Sequence, residues 1–285
     1  MNDSIKKTGT LYIVATPIGN LDDISERALK TLALVDIIAC EDTRHSGRML
    51  ASYGIKNKLM SFHAHNENQS TNKFIELLNQ GNNIALVSDA GTPLISDPGY
   101  PLVRQAHEEN ITVVPIVGAS AIIALLSCCG LPTNEFNFIG FLAAKSTHRK
   151  QQLAIINNNS GTTVVYESTH RILKSLADMQ EVLGGDRLIA VGRELTKTFE
   201  TVKLGTINEI KSFVESDNNQ QKGEFVIAIA AKEIVVVDAV TTQQKELVQL
   251  LSKELPPKKA AKITAQYLNG KSKEIYNYLI KATVI

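Results

Sequence analysis

Short apolar, β-branched runs alternate with amphipathic stretches along most of the chain. Such runs, bounded by polar or glycine-containing turns, read as buried strands. They fall at Leu11–Ala15, Ile37–Ala39, Ile84–Val87, Thr112–Ile116, Phe136–Gly140, Thr162–Tyr166, Arg187–Val191 and Gly223–Ala230. Between the first five lie helical patterns at Ser25–Leu34, Gln69–Gln80, Pro98–Glu109 and Ala119–Cys129, and later ones at Thr147–Asn157, Thr169–Leu183 and Thr206–Val214. This order predicts an α/β fold with largely parallel strand pairing. Gly130-Leu131-Pro132-Thr133 punctuates the middle, and the strands beyond it are longer, with more antiparallel potential. We therefore expect two α/β domains, 9–130 and 131–235. After Val235–Val240 the pattern becomes purely helical, with segments Thr242–Glu254, Lys258–Leu268 and Ser272–Ile280 separated by Pro256-Pro257 and Asn269-Gly270. Residues 240–285 thus read as a small helix-turn-helix-like domain, or alternatively as a docking bundle.

The length of 285 residues agrees with two or three domains. A net charge of +1 conceals an asymmetry. From Lys245 onward eight lysines face three acids, a net of +5, so residues 1–244, with 22 basic and 26 acidic side chains, carry −4. A basic tail on an acidic body points to a polyanionic partner, or simply to a solvated lysine-rich surface. Cys40, Cys128 and Cys129 suggest reduced thiols rather than a disulfide framework. His63-Ala64-His65 lacks companion ligands at metal-site spacing. The start MNDSIKKTGT has no signal-like apolar segment, and Ala121–Leu131 is too short to span a bilayer, so a cytoplasmic protein is expected.

Six islands share one design, in which a strand's last residues run into small or polar ones. They are Ala15–Asp23 (ATPIGNLDD), Ala39–Gly47 (ACEDTRHSG), Leu86–Gly99 (LVSDAGTPLISDPG), Pro115–Ala121 (PIVGASA), Tyr166–Arg171 (YESTHR) and Gly192–Lys197 (GRELTK). Strand ends converge in space in open α/β sheets, so these turns should rim one ligand cleft. Gly91 would let backbone approach the ligand closely, and Asp89 offers two acceptor oxygens. Neither a dinucleotide fingerprint nor a phosphate-cradling P-loop is present, which argues against NAD and nucleoside triphosphates.

In order and spacing, ATPIGNLDD, EDTRHSG, SDAGTPLISDPG, YESTHR and RELTK make the chain resemble the bacterial ribosomal RNA small-subunit methyltransferase I family. That family has the tetrapyrrole methylase fold of the class III S-adenosylmethionine methyltransferases. The resemblance runs from about Gly9 to Lys281. It implies two α/β domains with S-adenosylmethionine between them, a homodimer, and methylation of a cytidine ribose 2′-hydroxyl in the decoding region of 16S rRNA. The acceptor would be this rRNA or the small ribosomal subunit. Carried over by residue, the cofactor-binding set is Pro17, Asp89, Ala90, Gly91, Pro93, Ser120 and Ala121, with Phe225 under the adenine. In the wider fold the first loop is a G-x-G-x-G-D string, whereas Thr16–Asp23 here holds one glycine. This departure favours the rRNA branch over a methylase of a tetrapyrrole or related small metabolite. A non-catalytic RNA-binding assembly protein is the third reading.

A ribose hydroxyl is a weak acid, so a general base or alkoxide-stabilising cations would add roughly 10²–10⁴-fold to the rate. The catalytic candidates are Glu41, Arg44, His45, Glu194 and Lys197, with Asp42, Glu167, His170 and Arg193 on the same islands. Glu41 and Asp42 could instead cap a helix beginning near Ser46, and Arg193-Glu194 could be a structural ion pair. Nothing in the sequence suggests a catalytic metal. For RNA contact the candidates are Lys145, Arg149 and Lys150, beside His148, and the tail lysines Lys258, Lys259, Lys262, Lys271 and Lys273. The alternative for the AAKSTHRK stretch is a solvated helix start.

Overall fold

The computed structural model describes residues 8–232 and 240–283. Residues 1–232 and 233–285 form two compact units. The expected end of the second α/β half at residue 235, and most of the segment Val235–Val240, lie outside the described residues.

The first unit contains two five-stranded sheets. The first is built from β1 (Thr10–Val14), α1 (Glu26–Leu34), β2 (Ile37–Cys40), α2 (Thr43–Ser52), β3 (Leu59–Ser61), α3 (Glu67–Asn79), β4 (Ile84–Leu86), α4 (Tyr100–Glu108) and β5 (Thr112–Ile116). Its order is β3-β2-β4-β1-β5, and every pair is parallel. Helices cover both faces, so central strands are apolar on both sides. On β2, Ile37 and Ala39 join the core with Phe74 and Leu102, while Ile38 and Cys40 join the one with Leu32 and Leu50. The helix starts follow local capping chemistry: the Ser25 side chain accepts from the Ala28 N–H, and the Asp42 carboxylate accepts from the Arg44 and His45 N–H groups. Asp42 thereby starts α2 at Thr43, earlier than the expected Ser46.

The second sheet comprises β6 (Phe136–Phe141), β7 (Thr162–Ser168), β8 (Leu188–Arg193), β9 (Thr201–Thr206) and β10 (Glu224–Ile229), in the order β6-β7-β10-β8-β9. Only β6 and β7 pair in parallel; the other neighbours are antiparallel. The expected parallel pairing thus holds for the first sheet, while the second is mixed. α6 (Ser146–Ile156), α7 (Ile172–Leu183) and α8 (Ile207–Ser216) supply one covered face, where Phe225, Ile227 and Ile229 are buried. The other face, with Val226 and Ala228, packs on α5 (Ala121–Cys128) through Ile122, Leu125 and Leu126. This helix leaves the last strand of the first sheet yet is buried on the second. It therefore ties the two sheets together and sets their strand ends face to face.

The second unit is a three-helix bundle of α9 (Thr242–Leu251), α10 (Pro257–Tyr267) and α11 (Ser272–Thr283). Thr241 and Gln244 form a capping box at the start of α9, and Pro257 occupies the first turn of α10, where its missing N–H costs nothing. Val240, Val248, Ala260, Ala261, Ile275 and Leu279 make its core, and Lys258, Lys259, Lys262, Lys271 and Lys273 are all exposed.

Candidate active site

The strand ends of both sheets enclose one cavity of about 580 Å³. From the first sheet it takes Ile18, Asp89–Thr92, Ile95–Asp97, Ser120 and Ala121; from the second, Phe141, Tyr166–Thr169, Gly192, Leu195 and Gly223–Val226. The expected meeting of the islands is therefore present in five of the six, the exception on this wall being Ala39–Gly47.

Two backbone devices shape the first-sheet side. Thr16 and Gly91 exchange N–H···O bonds of 2.8 and 3.0 Å, joining the first loop to the Asp89-Ala90-Gly91 turn. Gly91 has φ +81°, and a Cβ there would meet the Ile18 methyl at 3.2 Å, so a side chain would strain the turn and crowd the wall. The next loop is more unusual: Leu94 (φ 72°) and Ser96 (φ 74°) both lie in the left-handed region without being glycine. Strain of this kind, worth roughly 1–3 kcal/mol per residue, persists where surrounding structure holds it, commonly at functional sites. It presents Ser96 and Asp97 to the cavity.

Of the residues carried over for the methyl donor, Asp89, Ala90, Gly91, Ser120 and Ala121 lie on the cavity wall. Pro17 and Pro93 do not: both are buried, because the Thr16–Gly91 bridge tucks Pro17 away and leaves Ile18 and Thr92 facing the cavity. Phe225 is a lining residue but only 3% exposed and packed into the core with Ile172 and Leu176, so it offers little open ring face to a ligand. Strand alternation explains this, since Phe225 shares its face with the helix-covered core while Val226 takes the opposite one.

The catalytic candidates divide. Glu41 is half-buried, and burial first, with the Asp97 and Asp89 carboxylates, pushes it up to about 7. Burial likewise raises Asp97, which lines the cavity, to about 6, with Asp89 adding to the shift. Asp97 also presses on Tyr166, which burial foremost raises to about 12. Arg44 and His45 are exposed on the first turn of α2, where Arg44 pairs loosely with Asp42 at 3.7 Å. Glu194 and Lys197 form an ion pair of 2.9 Å; the same carboxylate accepts from the Glu224 N–H, and Lys197 reaches Glu224 at 3.0 Å. Partial burial pulls Lys197 down, but its two carboxylates outweigh it and hold the ammonium above the ordinary lysine value. Thr196 Oγ1 accepts from the Asn20 N–H at 3.1 Å, so this turn also pins the first loop. Arg193 is a buried tie, donating to the carbonyls of Lys222, Phe199 and Asn219. Glu167 is buried and accepts from Arg171 and from Ser175 Oγ.

The RNA candidates also divide. Arg149 is 2% exposed: its guanidinium meets Asp178 at 2.6 Å and donates to the Ala143 and Ala144 carbonyls. It is a structural clamp, not a phosphate contact, because it lies on the core-facing side of α6 beside a buried acid. Lys150 is half-buried and held by Glu181 at 2.6 Å. Lys145 remains exposed. Three further wall residues, Phe141, Tyr166 and Asp97, carry no distinguishing signal in the sequence, although Asp97 and Tyr166 stand within two of the islands. Among the described residues no group of three or more His, Cys, Asp or Glu is placed to hold a metal ion, and no helix is long and apolar enough to cross a membrane.

A parallel and a mixed sheet sharing a strand-end cavity define a tetrapyrrole methylase-type protein, and residues 10–211 match the Tetrapyrrole (Corrin/Porphyrin) Methylases family model. Solved structures agree in fold: a uroporphyrin-III-C-methyltransferase from Thermus thermophilus (TM-score 0.55, 18% identity, covering 78% of this chain and 94% of that one) and a diphthine synthase (TM-score 0.58, 16%, covering 79% and 90%). Residues 238–282 match the RsmI C-terminal HTH domain. Ribosomal RNA small subunit methyltransferase I of Haemophilus influenzae is 50% identical over 95% of this chain and 96% of its own length, and that of Pseudomonas aeruginosa is 46% identical over 96% and 97%. The chain belongs to the ribosomal RNA small subunit methyltransferase I family.

Proposed function

We propose that this protein uses S-adenosylmethionine to methylate the ribose 2′-hydroxyl of a cytidine in the decoding region of 16S rRNA. The observation that carries this reading is the single cavity assembled from distant strand-end turns, in a chain matched over nearly its whole length by relatives named for small-subunit rRNA methylation. The acceptor class comes from that kinship, because the same fold occurs in proteins named for quite different acceptors.

The cavity fits the donor. Its volume of about 580 Å³ falls within the roughly 300–1,000 Å³ usual for small-molecule sites. When bound, S-adenosylmethionine supplies an electrophilic methyl on a sulfonium cation. Asp89 suits the donor's ammonium or a ribose hydroxyl, and the Gly91 turn leaves room for its approach. The first turn of α5, whose N-cap Ser120 makes no side-chain capping bond, has backbone N–H groups that suit a carboxylate. The Asp97 carboxylate, raised toward neutrality, favours a nearby cation when ionised and is matched to accepting a proton near pH 7, while Glu41 acts on it through its charge. Lys197, its ammonium favoured by Glu194 and Glu224, braces the turn against β10, while Thr196 pins the first loop. Positioning the nucleophilic oxygen near the methyl accounts for most of the rate, on the order of 7–11 kcal/mol.

In this reading the exposed lysines of the second unit and Lys145 hold rRNA phosphates, and the enzyme works in the cytoplasm as a homodimer on the rRNA or the small subunit. Mass mapping of rRNA nucleosides from cells with and without the gene tests it. Loss of one 2′-O-methylcytidine from 16S rRNA is expected; an unchanged map would refute the proposal.

A further inference from the structure

The cavity has an aromatic rim formed by Phe141 and Tyr166. Phe141 ends β6 with 53% of its surface open although it is wholly apolar. Its ring lies 5.4 Å from Tyr166 at 55°, and Tyr166 is braced from behind by Phe138 at 5.0 Å and 68°. A strand irregularity sets this position. Phe138 pairs with Val164 and Phe141 with Tyr166, so one extra residue is accommodated around Gly140, which has φ +73°. Such a bulge re-aims the side chain that follows it. A Cβ on Gly140 would stand 3.3 Å from Ser96 Oγ, so the bulge lies against the strained loop that presents Ser96 and Asp97. Just past Phe141 the chain turns basic and open at Lys145 and His148, on a segment whose Ala143 and Ala144 carbonyls are gripped by buried Arg149.

A half-open ring beside a cavity, followed closely by exposed cations, suits an aromatic ligand flanked by phosphates. We propose that Phe141, backed by Tyr166, stacks the nucleobase of the acceptor nucleotide, turned out of its strand so that its ribose faces the cavity. This rests on the rRNA-methylation reading and deepens it. An enzyme acting on one nucleotide commonly takes it out of the stack, and a base-on-aromatic contact offsets the unstacking.

The test compares full-length wild type, Phe141→Ala and Phe141→Trp, using small subunits that lack the modification and a 16S fragment carrying pyrrolocytidine at the target. Phe141→Ala should raise KM for subunits by roughly 5- to 150-fold, the range one stacked base is worth, and abolish quenching of the probe, while Phe141→Trp retains both. The dissociation constant for S-adenosylmethionine, read by calorimetry, should stay within about twofold in both variants, the margin left when the donor's own binding groups are untouched. An unchanged KM in Phe141→Ala, or weakened donor binding with KM for subunits intact, would overturn the inference, the latter by assigning the ring to the donor. Absence of methyl transfer by wild type would instead refute the proposed function, and the inference with it.

Discussion

Glu41→Gln isolates the electrostatics that link the Ala39–Gly47 island to the cavity. In the folded protein Glu41 is raised from its ordinary 4.5 to about 7, by burial first and then by Asp97 and Asp89. A carboxyl held above its unfolded value binds its proton more tightly when folded. Its contribution is therefore fully present below pH 4.5 and is lost as pH rises through 7. The full shift corresponds to a ceiling of about 3.4 kcal/mol, at roughly 1.4 kcal/mol per tenfold. Glu41 is only half-buried, so solvent screening reduces this to on the order of 1–2 kcal/mol. Glutamine keeps the shape and removes the titration. Urea denaturation from about pH 4 to 8.5, a range that brackets both values, should give a variant-minus-wild-type stability difference that grows by this amount, most of it between pH 4.5 and 7. A difference that is flat with pH, or that shrinks as pH rises, would refute the argument.

Arg149→Ala leaves the buried Asp178 with only Ser146 Oγ and the Lys150 ammonium at 3.8 Å, and should cost up to about 3–5 kcal/mol in urea denaturation, whereas Arg149→Met combined with Asp178→Leu should recover most of it; an Arg149→Ala loss below about 1 kcal/mol would contradict the clamp. Gly91→Ala forces a side chain into φ +81° and should lower stability by about 1–3 kcal/mol while weakening S-adenosylmethionine binding in calorimetry. Replacing Lys258, Lys259, Lys262, Lys271 and Lys273 together by glutamine should flatten the salt dependence of rRNA binding, by about 0.7–0.9 in logarithmic slope for each phosphate these lysines neutralise. The same variant should bind the donor as wild type does.

The fold was legible where one physical signal dominates. All the expected strands are present because each is an apolar run bounded by polar or glycine-containing segments. The two strands without such a signal are edges: β3 is three residues long and partly exposed, and in β9 the exposed Val202 and Leu204 alternate with less exposed Lys203, inverting the usual pattern. Site legibility followed the same rule. The Asp89–Gly91 turn and Ser120 could be found from strand-end chemistry, and so could the convergence of their loops. The fate of Arg149 could not, because its partner Asp178 lies 29 residues away and a helix-start arginine reads alike whether it faces solvent or core. Phe141 is silent in the sequence because the bulge at Gly140 that turns it to the rim reflects pairing with β7 rather than local residue pattern. Pro17 and Pro93 are each one residue away from Ile18 and Thr92, the neighbours that face the cavity, and a loop without regular alternation does not reveal which of two adjacent residues points inward.

The central claim is that the cavity between the two sheets receives the methyl donor. A crystal structure of the protein grown with S-adenosylhomocysteine tests this most directly. Density against Asp89, Gly91, Ser120 and Val226 is the expected result. Well-ordered density elsewhere on the protein, with this cavity filled only by water, would contradict the account.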